Sequence, residues 1–197
     1  MYETRALDET TWPEFARLVE ANNGVWGGCW CMWYHGKEVS GDKTPAQKRK
    51  AKERLVREGR AHASLVFEGE DCVGWCQFGS PEELPRIHNQ RAYRKTDPVL
   101  PDWRITCFFS GNGHRGNGVA SVALKGAIEQ IRTLGGGRVE AYPENTEGRK
   151  ASPAFLFNGS LSMFERSGFK RSRQIGKDKW VVTRTIKLDR SDAARAG

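Results

Sequence analysis

The segment 105–134 constrains this chain most, because a glycine-rich turn at 111–118 joins a short apolar run to a long amphipathic pattern. Glycines let backbone N–H groups approach a ligand closely, and the first turn of a helix adds partial positive charge. The pattern predicts a strand over 103–109 and a helix over 117–134. We therefore expect a phosphate or pyrophosphate site at a strand-to-helix turn.

The length and composition predict one domain. The chain has 197 residues and a net charge of +8, and we expect a folded domain over 1–188 with a flexible tail at 189–197. The charge fits either self-repulsion that keeps the protein soluble or attraction of an anionic ligand. No helix-turn-helix, zinc-finger or aromatic RNA-binding pattern is present, so nucleic acid is not an expected partner.

Compartment and membrane association follow from the cysteines and the hydropathy pattern. The five cysteines are an odd number, no apolar run approaches the ~20 residues of a membrane helix, and the N-terminus lacks signal-peptide anatomy. We expect a cytoplasmic protein with free thiols and no membrane contact. A homodimer is left open.

The order of predicted elements is β-α-α-β-β-β-α-β-α-β-β. Two helices are expected to begin at capping boxes, the first at Thr11 and the second, strongly basic and solvated, at Thr44. Hairpins are expected at 62–78 and 169–188. Adjacent hairpins with interleaved helices indicate a mixed α/β sheet rather than a doubly wound one.

An unusual aromatic stretch follows the first helix. Residues 24–40 hold three Trp and two Cys without a clear period. Two interpretations stay open, a loop that lines a pocket and an apolar plug on the core. A metal centre would need more ligands than Cys29, Cys31 and His35, so no metal site is expected.

Two glycine patterns overlap in the turn and predict different ligands. The frame Gly111-x-Gly113-x-x-Gly116, with the acidic Glu140 further on, outlines a dinucleotide-binding fingerprint. That fingerprint places its third glycine inside the first helical turn, whereas the helix here begins at or after Gly116. Only one helix and a hairpin follow Glu140, too few units for a dinucleotide fold. The sequence favours the second frame, which starts at Arg115.

The second frame resembles Arg/Gln-x-x-Gly-x-Gly/Ala, the pyrophosphate-binding signature of the GNAT acetyltransferase superfamily. Its residues are Arg115, Gly116, Asn117, Gly118, Val119 and Ala120. Downstream, SLSMFERSGF at 160–169 is similar to the helix and YExxGF-type ending of that family, with Phe164 at the usual tyrosine position. GCWCMW at 28–33 resembles a bacterial subgroup. The resemblance implies a single-domain GNAT fold with a mixed α/β sheet.

The resemblance also implies an activity, the transfer of an acetyl group from acetyl-CoA to an amine by direct attack in a ternary complex. Backbone groups of the signature residues would hold the pyrophosphate. Backbone groups of Phe108, Phe109 and Ser110 would pair with the pantetheine arm and polarise the thioester carbonyl. Because Phe164 stands where the family has its tyrosine, the resemblance implies that it belongs to the CoA site as well.

The catalytic residues are less constrained. An amine attacks in its neutral form, so a base is expected, with Glu140 as first candidate and His35 as second. A surface carboxylate and a loop histidine are the alternative interpretations. Phe164 cannot protonate the leaving thiolate as a tyrosine would, and Tyr142 or water could substitute. Loss of this acid also suggests a second function, a non-catalytic acyl-CoA sensor.

The acceptor is expected against three irregular stretches, 24–40, 79–102 and 143–152. An aromatic pocket with little acidic lining favours a small, partly apolar or anionic acceptor over a lysine-rich protein tail.

Overall fold

A mixed sheet forms the centre of the protein, and the computed structural model describes residues 1–96, 99–148 and 156–188. Within these ranges the sheet has seven strands in the order β1-β2-β3-β4-β5-β7-β6. The strands are β1 (Tyr2–Ala6), β2 (His62–Glu68), β3 (Asp71–Gly79), β4 (Trp103–Ser110), β5 (Gly137–Ala141), β6 (Lys170–Gln174) and β7 (Trp180–Ile186). The predicted tail at 189–197 lies outside the described residues.

The helices cover the sheet in the predicted order. They are α1 (Trp12–Ala21), α2 (Lys37–Ser40), α3 (Pro45–Arg57), α4 (Gln90–Arg94), α5 (Val119–Thr133) and α6 (Leu161–Arg166), with a 3-10 turn at Trp33–His35. The sequence pattern did not predict the short α2, α4 and 3-10 turn, because each is one or two turns long and lies in an irregular stretch. The predicted mixed α/β order is confirmed.

The two predicted capping boxes have different outcomes. At Thr44 the box is present, since its hydroxyl accepts from the Gln47 N–H and the Gln47 side chain accepts from the Thr44 N–H. At Thr11 the prediction is wrong. The Thr11 hydroxyl donates to the Ala6 carbonyl oxygen at 2.7 Å, and the Asp8 carboxylate accepts from the Thr11 N–H at 3.1 Å. A turn before the helix therefore takes the groups that the box would use.

Two hydrophobic clusters lie on opposite faces of the sheet. Neighbouring residues of β2 point to opposite sides, so Leu65 joins one cluster and Val66 the other. The first cluster includes α1, α3 and much of the aromatic stretch. The second packs α5 and α6 against the sheet, with Leu124 and Phe164 fully buried.

The strands β4 and β5 pair in parallel only at their starts. Trp103 to Ile105 lie opposite Val139 to Ala141, and the pairing ends there. At the next residue β4 carries a bulge, because Phe78 of β3 pairs with Ile105 and Gln77 pairs with Cys107, which leaves Thr106 unpaired. Beyond Thr106, β4 still pairs with β3 on one edge, but its other edge no longer pairs with β5. A single parallel pair in the described sheet excludes the dinucleotide-binding architecture.

The close approach of α5 to the sheet depends on Gly126. A Cβ at this position would lie 2.8 Å from the Thr4 Cβ and would also meet the Ser64 hydroxyl oxygen. We expect Gly126→Ala to lower the free energy of unfolding by about 1–3 kcal/mol, because this overlap outweighs the gain of about 1 kcal/mol in helix propensity. Urea unfolding measures the change. Lys125→Ala, exposed on the same helix, is the control and should be near neutral.

Candidate cofactor and acceptor site

The glycine turn between β4 and α5 exposes a row of backbone donors. Gly116 and Gly118 both have a φ of +81°, and a Cβ on either would meet no atom within 4 Å. In the part of the chain that the structure describes, the N–H groups of Gly116, Gly118, Val119 and Ala120 have no acceptor. Among the described residues, the turn thus leaves these donors without a partner at the start of α5, with open space at both glycines.

The charges around this turn suit an anion. The helix α5 has 15 residues and no acidic residue in its first turn, so its dipole is not neutralised there. Arg115 is exposed beside it, and its Nε lies 3.5 Å from the Ser110 carbonyl oxygen. Open space above the glycines, free donors and a nearby guanidinium fit a pyrophosphate group.

The unpaired edge of β4 leads from this turn into the protein. The Phe108 N–H donates to the Phe157 carbonyl oxygen at 2.7 Å. The Asn158 side-chain amide donates to the Thr106 carbonyl oxygen and, at 2.7 Å, to the Tyr34 hydroxyl oxygen. Residues 156–159 thus lie along the edge that β5 leaves unpaired, and they satisfy its backbone groups.

Asn158 connects this edge of β4 to Lys179, the residue before β7, and sequence analysis missed it. Its Oδ1 accepts from Lys179 Nζ at 2.8 Å, and the same ammonium lies 3.0 Å from a Glu144 carboxylate oxygen. Asn158 is 2% exposed. Its partners are distant in sequence, so no local pattern could indicate the role.

The side chains of Phe108 and Phe109 point to opposite faces of the sheet. The Phe109 ring stacks on Trp75 in the first cluster, with centroids 4.7 Å apart. The Phe108 ring packs in the second cluster against Phe164, 5.9 Å away. Phe164 also contacts Phe169 at 5.1 Å. The phenyl ring at the tyrosine position of the GNAT signature therefore forms part of the buried core.

A cavity of about 300 Å³ lies on the face of the sheet covered by the aromatic stretch. Its lining residues are Trp26, Cys29, Cys31, Trp33, Tyr34, His88, Cys107 and Phe157. Other residues of the same stretch, such as Trp30 and Met32, are buried in the core. Both interpretations of this stretch hold, for different residues, and its rings line a pocket beside Cys107 of β4.

His88 completes the aromatic wall of this cavity, and sequence analysis missed it too. Its imidazole stacks on Trp33 with centroids 4.2 Å apart and an interplanar angle of 5°. Burial, followed by the cations Lys179 and Arg86, lowers the pKa of His88 to about 4 against the weaker opposing effect of Glu144. The ring is therefore neutral at pH 7 and adds no charge to the cavity.

Glu140 and Tyr142 come together, but away from this cavity. Glu140 is fully buried and accepts from the Tyr93 hydroxyl at 2.7 Å, the Tyr142 hydroxyl at 3.3 Å and the Arg138 guanidinium at 2.9 Å. Burial raises the pKa of Tyr142 well above its usual value. Neither side chain lines the aromatic cavity. The network ties α4 to β5 through Tyr93.

His35 lies in a separate buried cluster. Its Nδ1 lies 3.1 Å from the Glu83 carbonyl oxygen, and its Nε2 lies 3.2 Å from Lys52 Nζ and 3.3 Å from Gln77 Nε2. Burial, followed by the charge of Lys52, lowers the pKa of His35 well below its usual value. Nδ1 therefore carries the proton and Nε2 accepts. Among the described residues, no three His, Cys, Asp or Glu side chains are arranged to hold a metal ion.

The buried neutral state of His88 makes stability depend on pH. The unfolded chain protonates this ring near pH 6.5, whereas the folded protein resists protonation down to about pH 4. The unfolded state thus binds more protons in this window, and stability falls as the pH drops through it. We expect His88→Phe to flatten this part of the curve in urea unfolding measured from pH 7 to pH 4. His35 contributes in the same direction in both proteins, so parallel curves would show that His88 has no such role.

Comparison with known proteins identifies the fold. No protein-family model matches the sequence, and no curated protein matches it significantly. Solved structures do match. The crystal structure of histone acetyltransferase HPA2 and related acetyltransferase from Corynebacterium glutamicum has a TM-score of 0.55 and 12% identity, over 96% of this chain and 98% of that chain.

Two further structures agree with it. An acetyltransferase of the GNAT family from Streptococcus pneumoniae has a TM-score of 0.51 and 13% identity, over 94% of this chain and 99% of that one. PaiA N-acetyltransferase from Thermoplasma acidophilum, in complex with coenzyme A, has a TM-score of 0.50 and 12% identity, with the same coverage. None of the described helices is long and apolar enough to cross a membrane. The chain has the mixed α/β fold of the GNAT acetyltransferases, as the resemblance implied.

Proposed function

We propose that the protein is an acyltransferase that moves an acetyl group from acetyl-CoA to a small-molecule amine by direct attack in a ternary complex. The observation that carries this proposal is the set of N–H groups of Gly116, Gly118, Val119 and Ala120, which have no acceptor among the described residues and lie next to the edge of β4 that does not pair with β5. The GNAT fold of the chain supports it. Acetyl-CoA would supply the activated acyl group as a thioester.

The chain offers a continuous path for such a substrate. The donors of the turn, with Arg115, would bind the pyrophosphate, and the edge of β4 at Ser110 and Phe108 would pair with the amide-containing arm. Alternate residues of a strand direct their N–H groups to the same edge, and the Phe108 N–H is on the side facing away from β3. A backbone donor aimed at a developing oxyanion contributes about 3 kcal/mol to acyl transfer. The Phe157 carbonyl would have to release Phe108 first.

The aromatic cavity supports a small, largely apolar acceptor. Five of its lining residues carry rings, one of them His88, which is neutral at pH 7, and no lining residue is a carboxylate. Burial of an ammonium ion without a counter-charge costs several kcal/mol. The amine would therefore enter the cavity in its neutral form, as attack on a thioester requires.

The catalytic roles of Glu140, Tyr142 and His35 stay predictions. Their buried hydrogen-bond networks support a positioning role, in which Glu140 holds Tyr93 and α4 against β5. His35, in turn, holds Lys52 beneath the cavity. An acceptor that is already neutral at pH 7 makes a strong base unnecessary.

A CoA-binding sensor without catalysis is the second candidate. The bond between the Phe108 N–H and the Phe157 carbonyl favours it, because this bond occupies the donor that would polarise the thioester. Phe164, which lacks a hydroxyl, favours it as well.

Gly118→Ala tests the proposed pyrophosphate site. We expect the dissociation constant for acetyl-CoA to rise about tenfold or more, because the added methyl enters the space above the turn and one charge-assisted hydrogen bond is worth about 1.5–3 kcal/mol. Calorimetric titration measures it. Gly113→Ala is the matched control, since Gly113 has a φ of +85° and open space but lies outside the Arg115–Ala120 frame. Equal weakening in both variants would contradict the assignment.

A turnover assay tests the activity. We expect small apolar amines that carry a ring to release CoA from acetyl-CoA, and cationic polyamines to release little CoA. Chromatography measures the CoA that is released. Trp33→Ala should raise the KM for the acceptor several-fold and leave acetyl-CoA affinity unchanged, whereas Trp103→Ala, outside the cavity, should alter neither. Acetyl-CoA binding without turnover on any amine would favour the sensor. Binding of NADH with no response to acetyl-CoA would overturn both.

A further inference from the structure

Three of the five cysteines line the aromatic cavity, and two of them are in contact. Cys31 Sγ and Cys107 Sγ lie 3.1 Å apart, although 76 residues separate them in the chain. Both side chains are buried, and both residues line the cavity, through which a small reagent would have to approach the pair. A disulfide has an S–S length of about 2.0 Å, so closure needs a shift of about 1 Å.

The surroundings of the pair make its two thiols different. The Trp75 indole N–H donates to Cys31 Sγ at 3.2 Å, and the fully buried Lys52 ammonium lies nearby. The hydrogen bond between the two thiols lowers the pKa of Cys31, and Lys52 and Trp75 act in the same direction against burial. The same contact, with burial, raises the pKa of Cys107 well above its usual value. Cys31 is thus the more readily ionised thiol of the pair.

The remaining cysteines lack these features. Burial raises the pKa of Cys72 to about 12 and that of Cys76 well above its usual value. Cys29 lines the cavity, but burial and the neighbouring Cys31 raise its pKa also. A low-pKa thiol next to a second thiol is the arrangement of an oxidation-sensitive site.

We propose that Cys31 and Cys107 form an oxidation site for hydroperoxides, in which Cys31 reacts first and Cys107 closes a disulfide. Cys31, once ionised, attacks the terminal oxygen of the hydroperoxide, so an S–O bond forms, the O–O bond breaks, and the departing alkoxide (hydroxide in the case of hydrogen peroxide) takes up a proton. Cys31 is oxidised to the sulfenic acid and the peroxide is reduced. The Cys107 sulfur then attacks the Cys31 sulfur, the S–S bond forms, and the S–O oxygen leaves as water with the Cys107 proton.

The disulfide has a defined effect on the site. It would bind the aromatic stretch covalently to β4 at the residue before Phe108. It would also convert two thiols of the cavity wall into a disulfide. This modification depends on the thiol pair and the cavity alone, and so stands apart from the proposed acetyl transfer.

The test is treatment of the folded full-length chain with hydrogen peroxide, followed by alkylation in denaturant and mass spectrometry without reduction. We expect the oxidised chain to carry three alkyl groups where the reduced chain carries five, with two further hydrogen atoms lost in the disulfide, and to give a peptide cross-link between Cys31 and Cys107 that dithiothreitol reverses. Cys76→Ala, the matched control, should give the same cross-link. The proposal would be overturned if all five cysteines were still alkylated after peroxide treatment, or if the cross-link involved Cys29 instead.

Two variants separate the roles of the partners. In Cys107→Ser, Cys31 should stop at the sulfenic acid, trapped by dimedone, whereas Cys31→Ser should leave Cys107 reduced. Lys52→Met should slow oxidation of Cys31 several-fold, and Lys50→Met, exposed on the same helix, should not. An unchanged oxidation rate in folded Lys52→Met would contradict the activation of Cys31 by Lys52. If a variant fails to fold, the cross-link in the wild-type chain still tests the pair.

Discussion

The bulge at Thr106 is the constraint on which the site depends. It ends the parallel pairing of β4 with β5 and leaves one edge of β4 with backbone groups that must find other partners. The chain answers with residues 156–159, whose carbonyl and amide groups meet that edge. A glycine turn with free donors stands at the outer end of the edge, and an aromatic cavity lies along it. A single extra residue in β4 thus places an anion site and an apolar pocket along the same strand edge.

The aromatic stretch reaches this edge through a strained backbone. Val25, Trp26, Trp30 and Cys31 all have φ near +50°, a conformation that costs a residue with a side chain about 1–3 kcal/mol. Burial of Val25 and Trp30 in the core offsets this cost. Trp30 is buried in the core, and the neighbouring Cys31 also lines the cavity. Strain stored beside a site is common where side chains must be aimed precisely.

The sequence predicted what local patterns encode. Strand alternation and the capping box at Thr44 predicted the element order. The glycine motif that starts at Arg115 predicted the turn before α5. The pattern failed where a distant residue decides the outcome. Lys52 looked like part of a solvated basic face, yet it lies on the stripe of Ala51, Leu55 and Val56 and is buried against His35. His88 and Asn158 gave no signal, because their partners in the fold are more than 20 residues away.

The hydrogen bond between the Phe108 N–H and the Phe157 carbonyl has a consequence for ligand affinity. A ligand that pairs with this part of β4 must displace the protein's own carbonyl, so the chain behaves as an internal competitor for its site. The apparent affinity is the intrinsic affinity multiplied by the fraction of molecules in which the segment has moved away. Each factor of ten in that fraction corresponds to about 1.4 kcal/mol in the stability of the closed segment. Residues 156–159 therefore set a threshold that any occupant of the cleft has to exceed.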